Sequence, residues 1–336
     1  MKKFASFFVL AAALAVLSCA REGTTGASDA DKIYLDAFMS ENYPGAKKTT
    51  LGAYILEDTP GDGAYIGDAE YVRVEYTTQD LQGNYGSSTF AQINRQLGTY
   101  SAINYYGPAI WYRGESQDNL RAGIEEVIST MNVGGTRKAV IPGWLFTTER
   151  YGTPEEYVKN CSGTTAVYTI RLAETFDDVE QWEKDSVLNY VTANLPGAQA
   201  DTAMAGWYYK RTGEPSSEET FAEDTVILIN YSLYRLDGTL LETTIEKLAK
   251  DKGIYSSSGD YTTKKITWHS DYSEITMGSD SSTDVVDGFA NAFVHMHPGE
   301  KGTVVFWSGE GYSTSGSGST IPPYCPLRFD IEIVDE

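Results

Sequence analysis

The sequence predicts an α+β fold made of two tandem domains. Each is a twisted, mostly antiparallel sheet packed on one short helix and preceded by an extra helix. Three observations carry this. Segments recur in the same order along the 336 residues: Asn42-Tyr43-Pro44-Gly45-Ala46 returns as Asn194-Leu195-Pro196-Gly197-Ala198 at an offset of 152. Val72 to Tyr76 returns as Ile227 to Tyr231 at 155, Met131 to Gly134 as Met296 to Gly299 at 165, and Ala166 to Leu172 as Leu327 to Ile333 at 161. Ordered recurrence with slowly drifting offsets is the mark of a duplicated unit. Second, the recurring runs alternate apolar and polar residues and end at turn glycines, as half-buried strands do. Third, each copy has one apolar stretch at helical spacing between its strands, Leu120, Ile124, Val127 and Met131 in the first and Phe289, Phe293 and Met296 in the second.

The elements follow in order within each copy. A polar-faced helix comes first (Asp31 to Asn42; Asp178 to Asn194), ended by Pro-Gly, with Asp177, Asp178 and Glu180 suited to the positive end of the second one. A strand follows around Gly52–Leu56 or Trp207–Lys210, then an alternating strand that turns at Gly83 or at Asp237-Gly238. After a long variable insertion comes the apolar helix, with Gly134 or Gly299 read as its left-handed stop. A further strand (Arg137–Ile141; Thr303–Phe306) leads through a loop to the last alternating strand. The boundaries read as domains at residues 31–176 and 177–336, after a leader at 1–18 and a flexible Gly/Thr/Ser-rich tether at 19–30.

The leader has a basic start at Lys2 and Lys3, an apolar run from Phe4 to Leu17 too short to span a bilayer, and the junction Val16-Leu17-Ser18-Cys19. That junction resembles a bacterial lipobox, which makes Cys19 the lipidation site. The expected location is the bacterial cell envelope, lipid-anchored on the periplasmic or cell-surface face of the outer membrane. Losing Lys2 and Lys3 with the leader takes the formal charge from −21 to −23. Such a field repels phosphate backbones and anionic headgroups, which argues against nucleic-acid partners and leaves membrane contact to the acyl chains. Cys161 and Cys325 fall at corresponding places in different halves and read as two thiols, though an oxidising compartment would permit a bridge. His269, His295 and His297 have no partners at metal-ligand spacing, and Asp280 to Asp287 lacks the glycine and closing glutamate of a calcium loop. Neither a cofactor nor a metal is expected. Ser308 and the run Ser313–Ser319 have no candidate base, so a solvated loop is the reading there.

The second copy resembles an FKBP-type peptidyl-prolyl isomerase. The matching pieces are Ile229-Asn230-Tyr231 with Asp237-Gly238, Leu241 to Thr244, Val285-Val286-Asp287-Gly288-Phe289, Met296 to Glu300, Tyr312, and Ile321-Pro322-Pro323 with Leu327 to Ile331. The resemblance implies a pocket walled by Tyr231, Leu241, Phe289, Tyr312 and Phe329, with Glu242 where the family has aspartate and Phe289 where it has tryptophan. It also implies that the backbone of Val285 and Val286 hydrogen-bonds a bound peptide, and that Ile275 or Met277 belongs to the flap. The first copy offers Tyr76, Tyr85, Ile124, Tyr151 and Tyr168 for pocket positions. Gly86-Ser87 supplies no acid there, and Arg121 stands where an apolar side chain is expected. An unpartnered charge in such a pocket would be costly, so the first domain reads as structural or peptide-holding.

The implied function is a peptidyl-prolyl cis-trans isomerase for proline-containing segments of exported proteins, with catalysis in the second domain. A non-catalytic FKBP-like peptide- or protein-binding module, as a chaperone or envelope scaffold, is the alternative. A glycan binder using exposed aromatics such as Trp111 and Trp207 is a third reading. The anchor has its own check: Cys19→Ala should abolish lipid labelling and release the protein from the membrane fraction, whereas a variant that still labels and still sediments with membranes would refute it.

Overall fold

The computed structural model describes residues 29–114, 120–278 and 283–334. The leader, Cys19 and the tether up to residue 28 lie outside the described residues, as does Asp280. No helix among the described residues is long and apolar enough to cross a membrane.

The N-terminal half opens with helix α1 (Asp29–Asn42), whose first turn carries Asp29 and Asp31 and whose buried face is Leu35 and Met39, one turn apart. Strands β1 (Lys47–Lys48), β2 (Tyr54–Thr59), β3 (Tyr71–Gln79) and β4 (Tyr85–Ser88) follow. Then come α2 (Ala91–Leu97), β5 (Ala109–Tyr112), α3 (Ala122–Ile128), β6 (Thr136–Ile141), α4 (Pro154–Asn160) and β7 (Ala166–Phe176). The C-terminal half runs through α5 (Val179–Asn194), β8 (Gln199–Ala200), β9 (Trp207–Gly213), β10 (Thr225–Arg235), β11 (Leu240–Thr243) and α6 (Glu246–Asp251). It continues with β12 (Lys264–Trp268), β13 (Thr276–Met277), β14 (Thr283–Asp284), α7 (Asp287–His295), β15 (Lys301–Phe306) and β16 (Leu327–Val334).

Each half makes its own sheet, and the two sheets share one strand order. The first runs β1-β2-β6-β7-β3-β4 with β5 also on β3; the second runs β8-β9-β15-β16-β10-β12-β13-β14 with β11 also on β10. The central pairings are antiparallel, and β16 lies against β10 from Arg235↔Leu327 to Leu228↔Val334. Alternation along β16 buries Leu327, Phe329, Ile331 and Ile333 and leaves their neighbours partly exposed. Each sheet also has its own apolar cluster, centred on residues such as Ile170 and Leu172 in one half and Ile229 and Phe293 in the other. Cys161 packs against the first cluster and Cys325 belongs to the second; both are free thiols.

The variable insertion holds structure that recurs. In both halves it contains a helix and then a strand on the long central strand, α2 and β5 in one, α6 and β12 in the other. A stacked tyrosine pair stiffens each: Tyr100 on Tyr106 at 5.3 Å and Tyr255 on Tyr261 at 5.4 Å. A cation caps each pair, Arg95 4.0 Å from the Tyr100 ring and Lys250 4.7 Å from the Tyr255 ring. Each inner hydroxyl accepts a backbone N–H, that of Ser101 at 3.0 Å and that of Ser256 at 2.9 Å.

Two expectations need correction. The apolar helix of the first half stops at Ile128, so Leu120 precedes it and Met131 follows it. Gly134 and Gly299 are left-handed (φ 89° and 69°), but they are not helix stops. Each is the third residue of a turn closed by the N–H of Gly135 on Asn132 or of Glu300 on His297. Val133 or Pro298 precedes it there, the arrangement that demands positive φ in a type II turn. The glycine therefore serves the entry into β6 or β15.

Helix α5 is capped by Asp178, which accepts the Gln181 N–H at 2.9 Å, and covers the far face of the second sheet with Val187 and Val191 against Val305. Glu183 on this face is 1% exposed and accepts from the Ser308 N–H at 3.2 Å and hydroxyl at 2.7 Å. Burial outweighs these bonds and raises its pKa from 4.5 to about 7. Between those values the folded chain holds a proton that the unfolded chain has lost, so this group makes stability fall as pH rises from 4.5 to about 7. The shift corresponds to about 3 kcal/mol. Glu183→Gln should remove that slope, gaining on the native protein between pH 5 and pH 8 in chemical denaturation. Parallel pH profiles for the two proteins would show that Glu183 ionises normally.

Candidate functional site

The site is assembled where β10 changes partners. Along Thr225–Ile229 this strand pairs with β12, and along Ser232–Tyr234 with β11. Tyr231 falls at the exchange, where its buried backbone would lack a ladder partner. Thr244 fills the gap: its hydroxyl accepts the Tyr231 N–H at 3.0 Å and its own N–H reaches the Tyr231 carbonyl at 3.0 Å. The first half repeats the device, Thr89 meeting the Tyr76 N–H at 2.9 Å and the Tyr76 carbonyl at 3.0 Å. Each tyrosine is thereby fixed on the inward face of its sheet.

Helix α7 crosses that face. Gly288 lets it approach, since a Cβ there would sit 2.4 Å from the Phe306 ring; Gly123 in α3 is as constrained, its Cβ 2.5 Å from Ile141. Two indoles grip the helix, Trp207 donating to the Gly288 carbonyl at 2.7 Å and Trp268 to the Phe293 carbonyl at 2.9 Å. Phe289 is thus held 4.5 Å from the Phe329 ring and 5.5 Å from Tyr231, with Tyr231 6.1 Å from Phe329. All three rings are buried, and Leu241, Val285, Val286 and Tyr312 pack half-buried around the cluster, as does Met277, while Ile275 is buried within it. Tyr231, Phe289 and Phe329 therefore meet at one place, and the other proposed wall residues pack on the same core.

The polar groups differ from expectation. Tyr231 donates its hydroxyl to Glu242, and burial first, then that carboxylate, hold its pKa well above the usual phenol. Glu242 itself is exposed, so it borders the cluster from outside. Burial, with the Glu242 charge, also raises Tyr312, whose hydroxyl has no hydrogen-bond partner among the described residues. The Val286 carbonyl accepts from the N–H groups of Phe289 and Ala290, both at 3.0 Å. Chemically this is an aromatic wall with, among the described residues, an unpartnered tyrosine hydroxyl and no nucleophile–base pair.

In the first half Tyr76 stacks on Tyr168 at 6.1 Å, and Ile124 is buried nearby in the same cluster. Trp111 lies 5.1 Å from Tyr76. Tyr85 is exposed on β4, and Tyr151 packs edge-on against Tyr157 at 5.1 Å, so neither joins Tyr76 and Tyr168. Arg121 is exposed at the N-cap of α3 and reaches the Phe146 carbonyl, so no charge enters a pocket. Trp207 is 1% exposed, which removes it as a surface binder of glycan. A cleft of about 550 Å³ lies between the halves, bounded by Tyr76, Tyr105, Trp111, Trp182, Arg235 and Pro323.

Sequence reasoning missed the indoles of Trp207 and Trp268 and the buried Glu300. Glu300 is 0% exposed and gathers the Tyr209 hydroxyl, Arg211 at 3.1 Å, and the His297 N–H at 3.1 Å and ring at 3.0 Å. His295 turns instead to Asp201 at 2.9 Å. The signal for the threonine ties was present, since Thr89 and Thr244 stand 155 apart, the same offset as Tyr76 and Tyr231.

No curated protein matches the chain. Among solved structures, a peptidyl-prolyl cis-trans isomerase from Pseudomonas syringae pv. tomato is 17% identical over 46% of this chain and 93% of its own, with a TM-score of 0.32. FkpA from Escherichia coli is 21% identical over 44% of this chain and 58% of its own, at 0.30. The three FKBP domains of wheat FKBP73 are 14% identical over 84% of this chain and 94% of that one, at 0.28. The family model described as FKBP-type peptidyl-prolyl cis-trans isomerase matches residues 217–334, the segment that holds every wall residue named above, so the C-terminal half carries an FKBP-type domain.

Proposed function

We propose that the chain is a peptidyl-prolyl cis-trans isomerase for proline-containing segments of exported proteins, tethered to the cell envelope through Cys19. The observation that carries this is the cluster of Tyr231, Phe289 and Phe329 inside the matched segment, walled by Tyr312. Rotation about an X-Pro bond meets a barrier of about 18–20 kcal/mol because amide resonance is lost midway. No proton transfer or covalent step is needed. An aromatic wall that excludes water disfavours the polarised planar amide, and a few donors placed for the twisted form stabilise it selectively.

The donors differ in what they can give. Tyr231 has committed its hydroxyl to Glu242, so it serves as a wall. Tyr312 offers a hydroxyl with no hydrogen-bond partner among the described residues. At Val286 the carbonyl is engaged twice, whereas the N–H has no partner among the described residues and is open to a bound peptide. In the first half Gly86-Ser87 provides no acid, which supports a structural or peptide-holding role there.

Tyr312 gives the sharpest check. Tyr312→Phe should cost about 0.5–1.5 kcal/mol of transition-state binding, the size of one neutral hydrogen bond. Tyr312→Ala should cost more, because it opens the wall to water. Catalytic efficiency and thermal midpoint would be measured together on the full chain, with the midpoint moving by less than about 3 °C. A collapsed midpoint with unchanged activity per folded molecule would make Tyr312 a packing residue. Peptide binding without any turnover in the native protein would favour a holding module instead.

A further inference from the structure

We propose that the N-terminal half braces the pocket loop of the C-terminal half, with Arg235, Asn104 and Ser319 as positioning residues for Tyr312; this rests on the isomerase reading of that pocket. The loop between β15 and β16 contains Tyr312 and is rich in glycine and serine, with Gly316 and Gly318 at positive φ. Such a backbone is costly to order from within. Order reaches it from the other half.

Arg235 ends β10 and is 4% exposed. One of its terminal nitrogens donates both to the Ile103 carbonyl at 2.8 Å and to the Thr320 carbonyl at 2.6 Å, so a single guanidinium joins the two halves. Its other terminal nitrogen reaches the Asn104 carbonyl at 3.4 Å, its Nε pairs with Asp237 at 3.2 Å, and its plane lies 5.5 Å from the Tyr105 ring. Beside it the Tyr105 N–H donates to the Ser319 carbonyl at 2.8 Å, and the Ser319 hydroxyl to the Asn104 side chain at 2.9 Å. Tyr324 meets Tyr71 edge-on at 6.0 Å.

Both ends of this brace are stiff. Ile103, Asn104 and Tyr105 lie within the span stapled by the Tyr100–Tyr106 stack and its Arg95 cap. In the C-terminal half the same staple encloses Ser256 to Asp260, which are exposed. The first half has therefore turned a feature present in both into a contact with its neighbour. Inside the loop, Ser317 and Ile321 exchange backbone bonds at 2.7 and 3.1 Å. Gly316 donates to the Tyr312 carbonyl at 3.0 Å, and Tyr324 to the Ser313 carbonyl at 3.0 Å. Ties from Asn104 to Ser319, from Thr320 to Ser317 and from Gly316 to Tyr312 thus follow one another along the loop, linked by the chain itself.

The test uses the full chain and a double-mutant cycle. Arg235→Met should lower kcat/KM about tenfold in the native background, and by less than about twofold once Tyr312→Ala is present, because the brace acts through Tyr312. Arg235→Lys, which keeps the charge but loses the planar fork that spans these carbonyls, should fall between. Asn104→Ala with Ser319→Ala, at exposed contacts, should show the same non-additivity without disturbing the core. Hydrogen exchange at Gly316, Ser317 and Ile321 should quicken in these variants while β16 stays protected. Equal losses in both backgrounds, or unchanged loop protection, would overturn the proposal. If the native protein proves inactive, the isomerase reading fails and loop protection alone decides the brace.

Discussion

The structure depends on one constraint: the long central strand of each sheet must satisfy its edge with two successive partners. No single strand follows the whole of β10 on that side, and β3 is in the same position. A buried N–H and carbonyl at the exchange would otherwise stand unpaired, at a cost comparable to a lost hydrogen bond. A threonine side chain and its own N–H close the gap, and the tyrosine whose backbone is closed becomes fixed inward. Pocket geometry follows from that fixation, since Tyr231 sets where Phe289 and Phe329 can pack.

The rest of the site is placed by close approach. Gly288 allows α7 to lie directly on β15, and the Trp207 and Trp268 indoles hold the helix by its carbonyls. These are satisfied buried polar groups, which rigidify as well as stabilise. The outcome is asymmetric between the halves. In the second, Phe289 and Phe329 form a buried aromatic floor; in the first, Tyr76, Trp111 and Tyr168 are half-buried, and Tyr76 and Trp111 border the cleft between the halves. The same frame therefore carries a different aromatic set in each copy.

Much of this was legible in the sequence. Two of the four recurring segments lie on the paired central strands, β3 and β7 in one half and β10 and β16 in the other, and the alternation in Leu327 to Ile333 marked the inward face. What escaped notice was set by tertiary contacts. Trp207 looked available for binding because nothing local reveals that its indole serves a helix carbonyl 81 residues away. Glu242 reads in the sequence as an acid beside the pocket, and what the sequence could not show is that it sits exposed while accepting the Tyr231 hydroxyl. Arg121 looked like a buried charge because the repeat aligns it with Val286, and the N-cap position lets its side chain turn outward. The recurrence inside the insertion was missed because few letters repeat there, Gly98, Tyr100, Ser101 and Tyr106 against Gly253, Tyr255, Ser256 and Tyr261. The contacts between those few letters are what recur.

The central claim is that the pocket speeds rotation about a prolyl bond, and that binding alone does not describe it. The direct measurement is the cis–trans exchange rate of a short X-Pro peptide, followed by magnetisation-transfer NMR with the full chain at catalytic concentration. Uncatalysed exchange takes tens to hundreds of seconds. The account predicts exchange that quickens in proportion to added protein and saturates with peptide. Peptide resonances that shift on binding while the exchange rate stays at its uncatalysed value would contradict it.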